Sequence, residues 1–240
     1  LFCLLQLCLV LLKTLLYHHQ PTSTLIFCNT KDQVTSLFAR LTQAGFSTAA
    51  LHGDMDQAAR DRAMIRFANR SCSVLVATDV AARGLDIQEL PAVINYDLAF
   101  EYDVHVHRIG RTGRAGRQGL ALSLTTPADA ERLCTIEDAG MTLPWGKVDA
   151  LHAKTMTIPK PEMVTLSITA GRKDKIRPGD ILGALTQDAG LEACDIGKIN
   201  ITALHTYVAI KHNQLNKAYP FIQHGKIKGR RVNIKIMQGA

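Results

Sequence analysis

SVLVATDVAARGLD, residues 73–86, decides the fold. Its opening run, SVLVAT, is apolar and rich in β-branched residues, which reads as a strand. A polar turn, ATD, follows at residues 77–79. Working outward, TLIFC (24–28), STAAL (47–51), AVINY (92–96) and LALSL (120–124) repeat the strand signature. Between them DQVTSLFARLTQAG (32–45) has helical periodicity and ends on Gly45, and QAARDRAMIRFAN (57–69) is a second helix. TTPADAERLCTIEDAG (125–140) supplies another. Strands alternating with helices predict a parallel, doubly wound α/β sheet covered on both faces. Ligands of such a sheet bind past the carboxyl ends of its strands. That is where CNT (28–30), HGD (52–54) and ATD fall.

Residues 144–163, with Pro144, Pro159 and Pro161, read as a linker, and beyond them the pattern changes. MVTLSIT (163–169), a helix over about 180–190, KINIT (198–202), TYVAIK (206–211), a helix over about 214–223 and RVNIKIM (231–237) give the order β-α-β-β-α-β. This is the split βαβ arrangement of RRM domains, a small α+β fold. The domain boundaries predicted are 1–145, a linker at 146–162, and 163–240.

Of 240 residues, 28 are Lys or Arg and 21 Asp or Glu, a net charge of +7. Residues 1–162 are neutral overall, so the whole excess sits in 163–240. Charge gathered in that way is the footprint of a module that binds a polyanion. The six cysteines form no C-x-x-C pair, which implies neither a zinc site nor a disulfide framework and fits a reducing cytoplasm. LFCLLQLCLVLL (1–12) lacks the basic start and cleavage site of a secretory signal and is too short to span a bilayer before Lys13. It predicts a buried helix stopped by Pro21. The absence of an initiator Met predicts that the chain starts partway into a longer protein.

HRIGRTGRAGR, residues 107–117, holds four arginines and three glycines. Arginine stays charged and grips phosphate oxygens through two parallel hydrogen bonds. If helical, Arg111 and Arg114 share a face, and they would stabilise the charge that grows on a γ-phosphate during hydrolysis. Gly110, Gly113 and Gly116 allow tight turning. Asp86 is suited to a ribose hydroxyl, and Gly53 and Arg60 to a sugar-phosphate backbone.

LIFCNT, HGDMDQAAR, ATDVAARGLD and HRIGRTGRAG, in that order, resemble the second RecA-like domain of DEAD-box RNA helicases over residues 20–125. The resemblance implies that Arg111 and Arg114 act as arginine fingers on ATP, and that Asp86, with Gly84, holds the nucleotide. It implies that His107 and Asp79 couple the ATP site to RNA, and that Gly53, Arg60 and Thr78 touch the RNA backbone. Arg108 and Arg117 are read as structural or surface charges, and His105 as packing. RKDKIRPGDILGALT, DIGKINI and GKIKGR are similar to the terminal RNA-binding domain of the DbpA subgroup. That likeness implies a hairpin of 23S ribosomal RNA in pre-50S particles as partner, a role in ribosome biogenesis, and a cytoplasmic location.

Alternation along the strands places Val164, Leu166, Ile168, Ile199, Ile201, Val208 and Ile210 inward. Thr165, Ser167, Asn200, Thr202, Tyr207 and Lys211 are then outward. One aromatic is too few for the base-stacking platform of an RRM. Basic residues gather instead at the loops: Arg172, Lys173, Lys175 and Arg177, then Lys226, Lys228, Arg230 and Arg231. RNA is expected there.

No G-x-x-x-x-G-K-[ST] and no D-E-A-D string occurs, so ATP with Mg²⁺ should take most of its contacts from a first RecA-like domain that the chain does not contain. The sequence therefore predicts the C-terminal part of an ATP-dependent RNA helicase, inactive alone. The rival from another class is an RNA-binding scaffold without catalysis.

Overall fold

The computed structural model describes residues 2–82, 89–113, 116, 118–148, 151, 157–158 and 160–237. The chain forms two compact units: residues 1–60 with 73–160, and residues 61–72 with 161–240.

In the first unit, β1 (Thr24–Phe27), β2 (Thr48–Leu51), β3 (Val74–Ala77), β4 (Ala92–Asn95) and β5 (Leu120–Ser123) form one sheet in the order β2-β3-β1-β4-β5. Every neighbouring pair is parallel, with Thr24 opposite both Val74 and Ala92. β1, β3 and β4 are buried at every residue, as central strands covered on both faces must be, whereas edge strand β5 alternates between half-buried and exposed. One face carries Ile26, Cys28, Val74, Val76 and Ile94 against α1 (Phe2–His19) and α2 (Lys31–Gln43). Thr30 caps α2 by accepting a hydrogen bond from the Gln33 N–H at 3.2 Å, and the chain leaves it through Gly45 at φ +91°.

The apolar start is a helix that ends just before Pro21, as expected, but it is not buried throughout. Leu12, Leu15 and Leu16 join the core, while Leu7 and Val10 are exposed by 66% and 51%. No helix among the described residues is long and apolar enough to cross a membrane.

Three further helices place the site: α3 (Gln57–Ala68), α4 (Asp79–Ala82) and α5 (Tyr102–Ile109); α6 (Ala130–Asp138) follows β5.

The second unit contains β6 (Met163–Ile168), α7 (Pro178–Gly183), β7 (Ile196–Ile201), β8 (Thr206–Lys211), α8 (Leu215–His224) and β9 (Ile234–Ile236). The strands form an antiparallel sheet in the order β7-β8-β6-β9, the RRM arrangement. Leu166, Ile168, Val208 and Ile210 are fully buried against Ile181, Leu185, Ala218 and Ile222, and Val164, Ile199 and Ile201 pack half-buried at the margin.

Two details depart from expectation. The first helix stops its regular winding at Gly183, not near 190, and continues through Ala184–Asp188 as a wider turn closed by the Ala189 N–H on the Ala184 carbonyl. Gly183 favours helix weakly, and the wider turn leaves both Leu185 and Leu191 buried. Thr165, expected to face water, is fully buried. Within the same unit its hydroxyl accepts from Asn69 Nδ2 at 3.2 Å and pairs with the Ser71 hydroxyl at 2.7 Å.

Candidate functional site

Three strands of the parallel sheet end on polar residues at one edge: Asn29 after β1, Thr78 and Asp79 after β3, and Asn95 with Asp97 at the end of β4. α5 brings one arginine to all of them. Arg108 is 2% exposed, and its guanidinium donates along two parallel bonds to Asp79, Nε to Oδ1 and Nη2 to Oδ2, each at 2.6 Å. Nη2 also donates to Asn29 Oδ1 at 2.7 Å. Nη1 donates to the Asp97 carbonyl at 2.7 Å and to Asn95 Oδ1 at 3.3 Å, and the group lies 5.1 Å from the Phe27 ring centre. Arginine alone presents five donors in a fixed fork, and burying it without acceptors is costly. The polar strand ends supply those acceptors.

Asp97 receives the Asn29 backbone N–H at 2.9 Å and Gln33 Nε2 at 2.8 Å. Burial pushes its carboxyl above the usual range, and the Asn29 N–H and the Arg108 charge pull it back. Burial, with the nearby Asp97 carboxylate, pushes the Cys28 thiol far above its ordinary range. Burial and then the Arg108 charge lower the imidazole pKa of His105, which is 2% exposed.

Beside this network lies a pocket of ≈ 240 Å³ lined by Phe27, Asp79, Ala82, Val104, His107, Arg108 and Arg111. The structure thus brings together Arg111, His107 and Asp79. It does so differently from the shared helical face considered above: α5 ends at Ile109, and Arg111 lies beyond its cap, Gly110. Its backbone is held there by its N–H on the Arg108 carbonyl and by its own carbonyl accepting from the Leu90 N–H at 3.0 Å. Thr112 adds a short hydroxyl bond to the Leu90 carbonyl. Gly110 has an ordinary φ of −66°, so its freedom is not used, whereas Gly113 at +67° needs it. Gly119, which sequence reading passed over, is required by space: a Cβ there would collide with Thr112 Oγ1 and the Gly113 backbone.

Gly84, Asp86 and Arg114 lie outside the described residues, as does Arg117. Gly53 stands in a turn with open space around it, and Arg60 is on the first turn of α3. The Thr78 N–H donates to the Leu51 carbonyl at 3.2 Å, which joins the HGD turn to the end of β3.

In the second unit the two basic loops meet. Arg230 Nη1 reaches Asp174 Oδ1 at 3.4 Å. Lys228 Nζ donates to the Lys175 carbonyl at 2.8 Å and reaches Asp180 Oδ2 at 3.4 Å. Lys173, Arg177 and Lys226 are exposed. In the turn just before β8, His205 stacks on Tyr207 with ring centres 6.1 Å apart, a second aromatic that alternation counted from the strands did not include.

A helicase conserved C-terminal domain matches residues 7–116, and a DbpA RNA-binding domain matches residues 165–236. The ATP-dependent RNA helicase DbpA of Escherichia coli K12 is 48% identical over 229 residues, 95% of this chain and 50% of that protein. The chain belongs to the DEAD-box helicase family, in its DbpA type. DbpA of Bacillus subtilis 168 is 34% identical over 247 residues, 93% of this chain and 51% of that protein. The chain therefore spans about half the length of these relatives. Among solved structures, the E. coli DEAD-box protein SrmB bound to the regulator RraA superposes with a TM-score of 0.57 at 37% identity, over 65% of this chain and 92% of that one. Saccharomyces cerevisiae Dbp5 bound to RNA and ADP BeF3 gives 0.51 at 34% identity, over 55% of this chain and 35% of that one.

Proposed function

We propose that this chain is the C-terminal portion of an ATP-dependent RNA helicase, with a RecA-like domain at 1–145, a linker at 146–162 and an RNA-binding domain at 163–240. The observation that carries the proposal is the pocket holding Arg111, His107 and Asp79 around the buried Arg108. Asp79 spends both carboxylate oxygens on Arg108, so it does not oppose a phosphate at Arg111. Arg111, joined by Arg114, stabilises the charge that develops on a γ-phosphate presented by a first RecA-like domain. Gly84 and Asp86 hold the nucleotide's sugar. His107 relays the state of the ATP site to RNA lying across Gly53, Arg60 and Thr78.

ATP brings Mg²⁺ with it. The one metal-compatible group among the described residues, Glu192 with Cys194 and Asp195, belongs to the second unit, and no residue here is assigned to the ion. The net charge of +7 in residues 163–240 and the match to a DbpA RNA-binding domain support RNA as substrate, held by Lys173, Lys175, Lys226, Lys228 and Arg230. The finer reading is a hairpin of 23S ribosomal RNA, acted on during large-subunit assembly in the cytoplasm.

The test uses a protein in which a first RecA-like domain precedes this chain. Arg111→Ala should cut RNA-stimulated ATP turnover by on the order of a thousandfold and leave RNA affinity unchanged. Unaltered turnover refutes the arginine-finger assignment. The chain alone should bind RNA without hydrolysing ATP, because it carries no phosphate-cradling G-x-x-x-x-G-K-[ST] loop; hydrolysis by it would refute the division of labour.

A further inference from the structure

The two basic loops of the second unit are not equivalent rows of free charge. Asp174 accepts the Gly171 backbone N–H with Oδ2 at 3.1 Å and turns Oδ1 to Arg230 at 3.4 Å. Asp180 accepts the Arg177 backbone N–H at 2.8 Å, where it caps α7, and the same oxygen faces Lys228 Nζ at 3.4 Å. Lys228 crosses between the loops to the Lys175 carbonyl. Lys175 and Lys228 both stand in the left-handed region, at φ +61° and +52°. Non-glycine residues occupy that region at a cost, and surrounding contacts must hold them there. Each carboxylate is thus anchored by one loop's backbone and reaches the other loop's cation. Lys173, Arg177 and Lys226 are exposed and enter none of these bridges.

We infer that Asp174 and Asp180 are positioning residues for RNA recognition: they fix the spacing of the two loops, with Lys228 and Arg230 as the cross-braces, so that Lys173, Arg177 and Lys226 present phosphate ligands at a set separation. The inference rests on the proposal that RNA is held at these loops. Its force lies in a sign. Acidic residues beside an RNA site oppose phosphate, and removing one would ordinarily tighten binding. If the two aspartates hold the loops in register, removing either loosens the structured RNA despite the gain in positive charge. Register matters to an RNA of fixed shape and little to a pliant single strand, which adjusts to wherever the cations lie.

The experiment measures binding of the full chain to a labelled hairpin from 23S ribosomal RNA and to poly(U) of equal length, at one salt concentration. Asp180→Asn and Asp174→Asn keep an acceptor for the helix-cap and turn N–H groups, and thermal unfolding checks that each variant folds. The expected result is a fall in hairpin affinity of about fivefold, the size of one coupled contact, with poly(U) binding unchanged or tighter. Asp180→Asn placed on Lys228→Met should weaken the hairpin no further than Lys228→Met does. Asp180→Glu, which restores the carboxylate, should recover much of the preference. A hairpin that binds both Asn variants as tightly as the parent, or more tightly, overturns the positioning role. Lys173→Ala with Lys226→Ala separates the two claims. If that double variant loses the hairpin while the Asn variants do not, positioning alone fails; if it binds normally, the placement of RNA at the loops fails.

Discussion

Asp79→Asn tests the centre of the first unit. The substitution keeps the side chain's shape but replaces one of the two oxygens facing Arg108 by an NH₂ group. At 2.6 Å from a guanidinium nitrogen that group meets another donor. Arg108 is 2% exposed and the Asp79 side chain 24% exposed, so water cannot readily take the carboxylate's place. Breaking a buried ion pair from one side costs about 3–5 kcal/mol, most of it from the charge left behind. For domains of roughly 150–250 residues each kcal/mol lowers Tm by about 2–4 °C, which places the expected loss at about 6–20 °C. Thermal unfolding followed by circular dichroism reads it directly. Adding Arg108→Met to Asp79→Asn removes the stranded cation and should restore part of the loss, so the two changes together cost less than the sum of each alone. A drop smaller than about 2 °C for Asp79→Asn, or strict additivity in the double variant, would show that Arg108 does not depend on Asp79.

Two further outcomes follow from the same site. Gly119→Ala forces the Gly113 backbone to move, because the new methyl meets that backbone as well as the Thr112 hydroxyl. It should cost about 1–3 kcal/mol in urea unfolding, and an unperturbed midpoint would contradict the packing described. His105, buried and held neutral by desolvation, has a folded pKa below its ordinary 6.5. The unfolded chain therefore takes up this proton first, and stability present above pH 6.5 is lost as pH falls below it. The stability of the parent relative to His105→Phe should fall steadily from about pH 7 to pH 5; a flat difference would mean that His105 protonates as easily in the fold as out of it.

The strands of both sheets stood in the sequence because period and punctuation are local, whereas α4 and α5, the short helices that carry Asp79 and Arg108, were not among the helices expected. β1 through β5 each fall within one residue of the expected runs. Arg108 was harder to read. In HRIGRTGRAGR nothing about spacing separates it from Arg111, yet its guanidinium is sealed against Asp79 while Arg111 stands beyond the end of α5. Its acceptors come from Asn29, Asp79, Asn95 and Asp97, which only the sheet order β3-β1-β4 makes neighbours. A usable hint was there: polar residues ending three buried strands demand a shared donor, and one arginine can serve them all. Thr165 escaped for the opposite reason. Alternation tells which face a residue takes, but not that Asn69 and Ser71 cover it.

The burial of Arg108 has a consequence for how this protein meets salt. A cation holds mobile ions around it, or yields to a phosphate and releases the ions condensed there, only where water reaches it. Arg108 is sealed and already neutralised by Asp79, so it contributes nothing to that exchange, although a count of formal charge treats it like any other arginine. The ionic-strength dependence of nucleic-acid affinity is therefore set by the cations in contact with water. This deeply placed charge is electrostatically silent toward solvent, and its influence is spent inside the fold, on the strand ends it joins and on neighbouring His105.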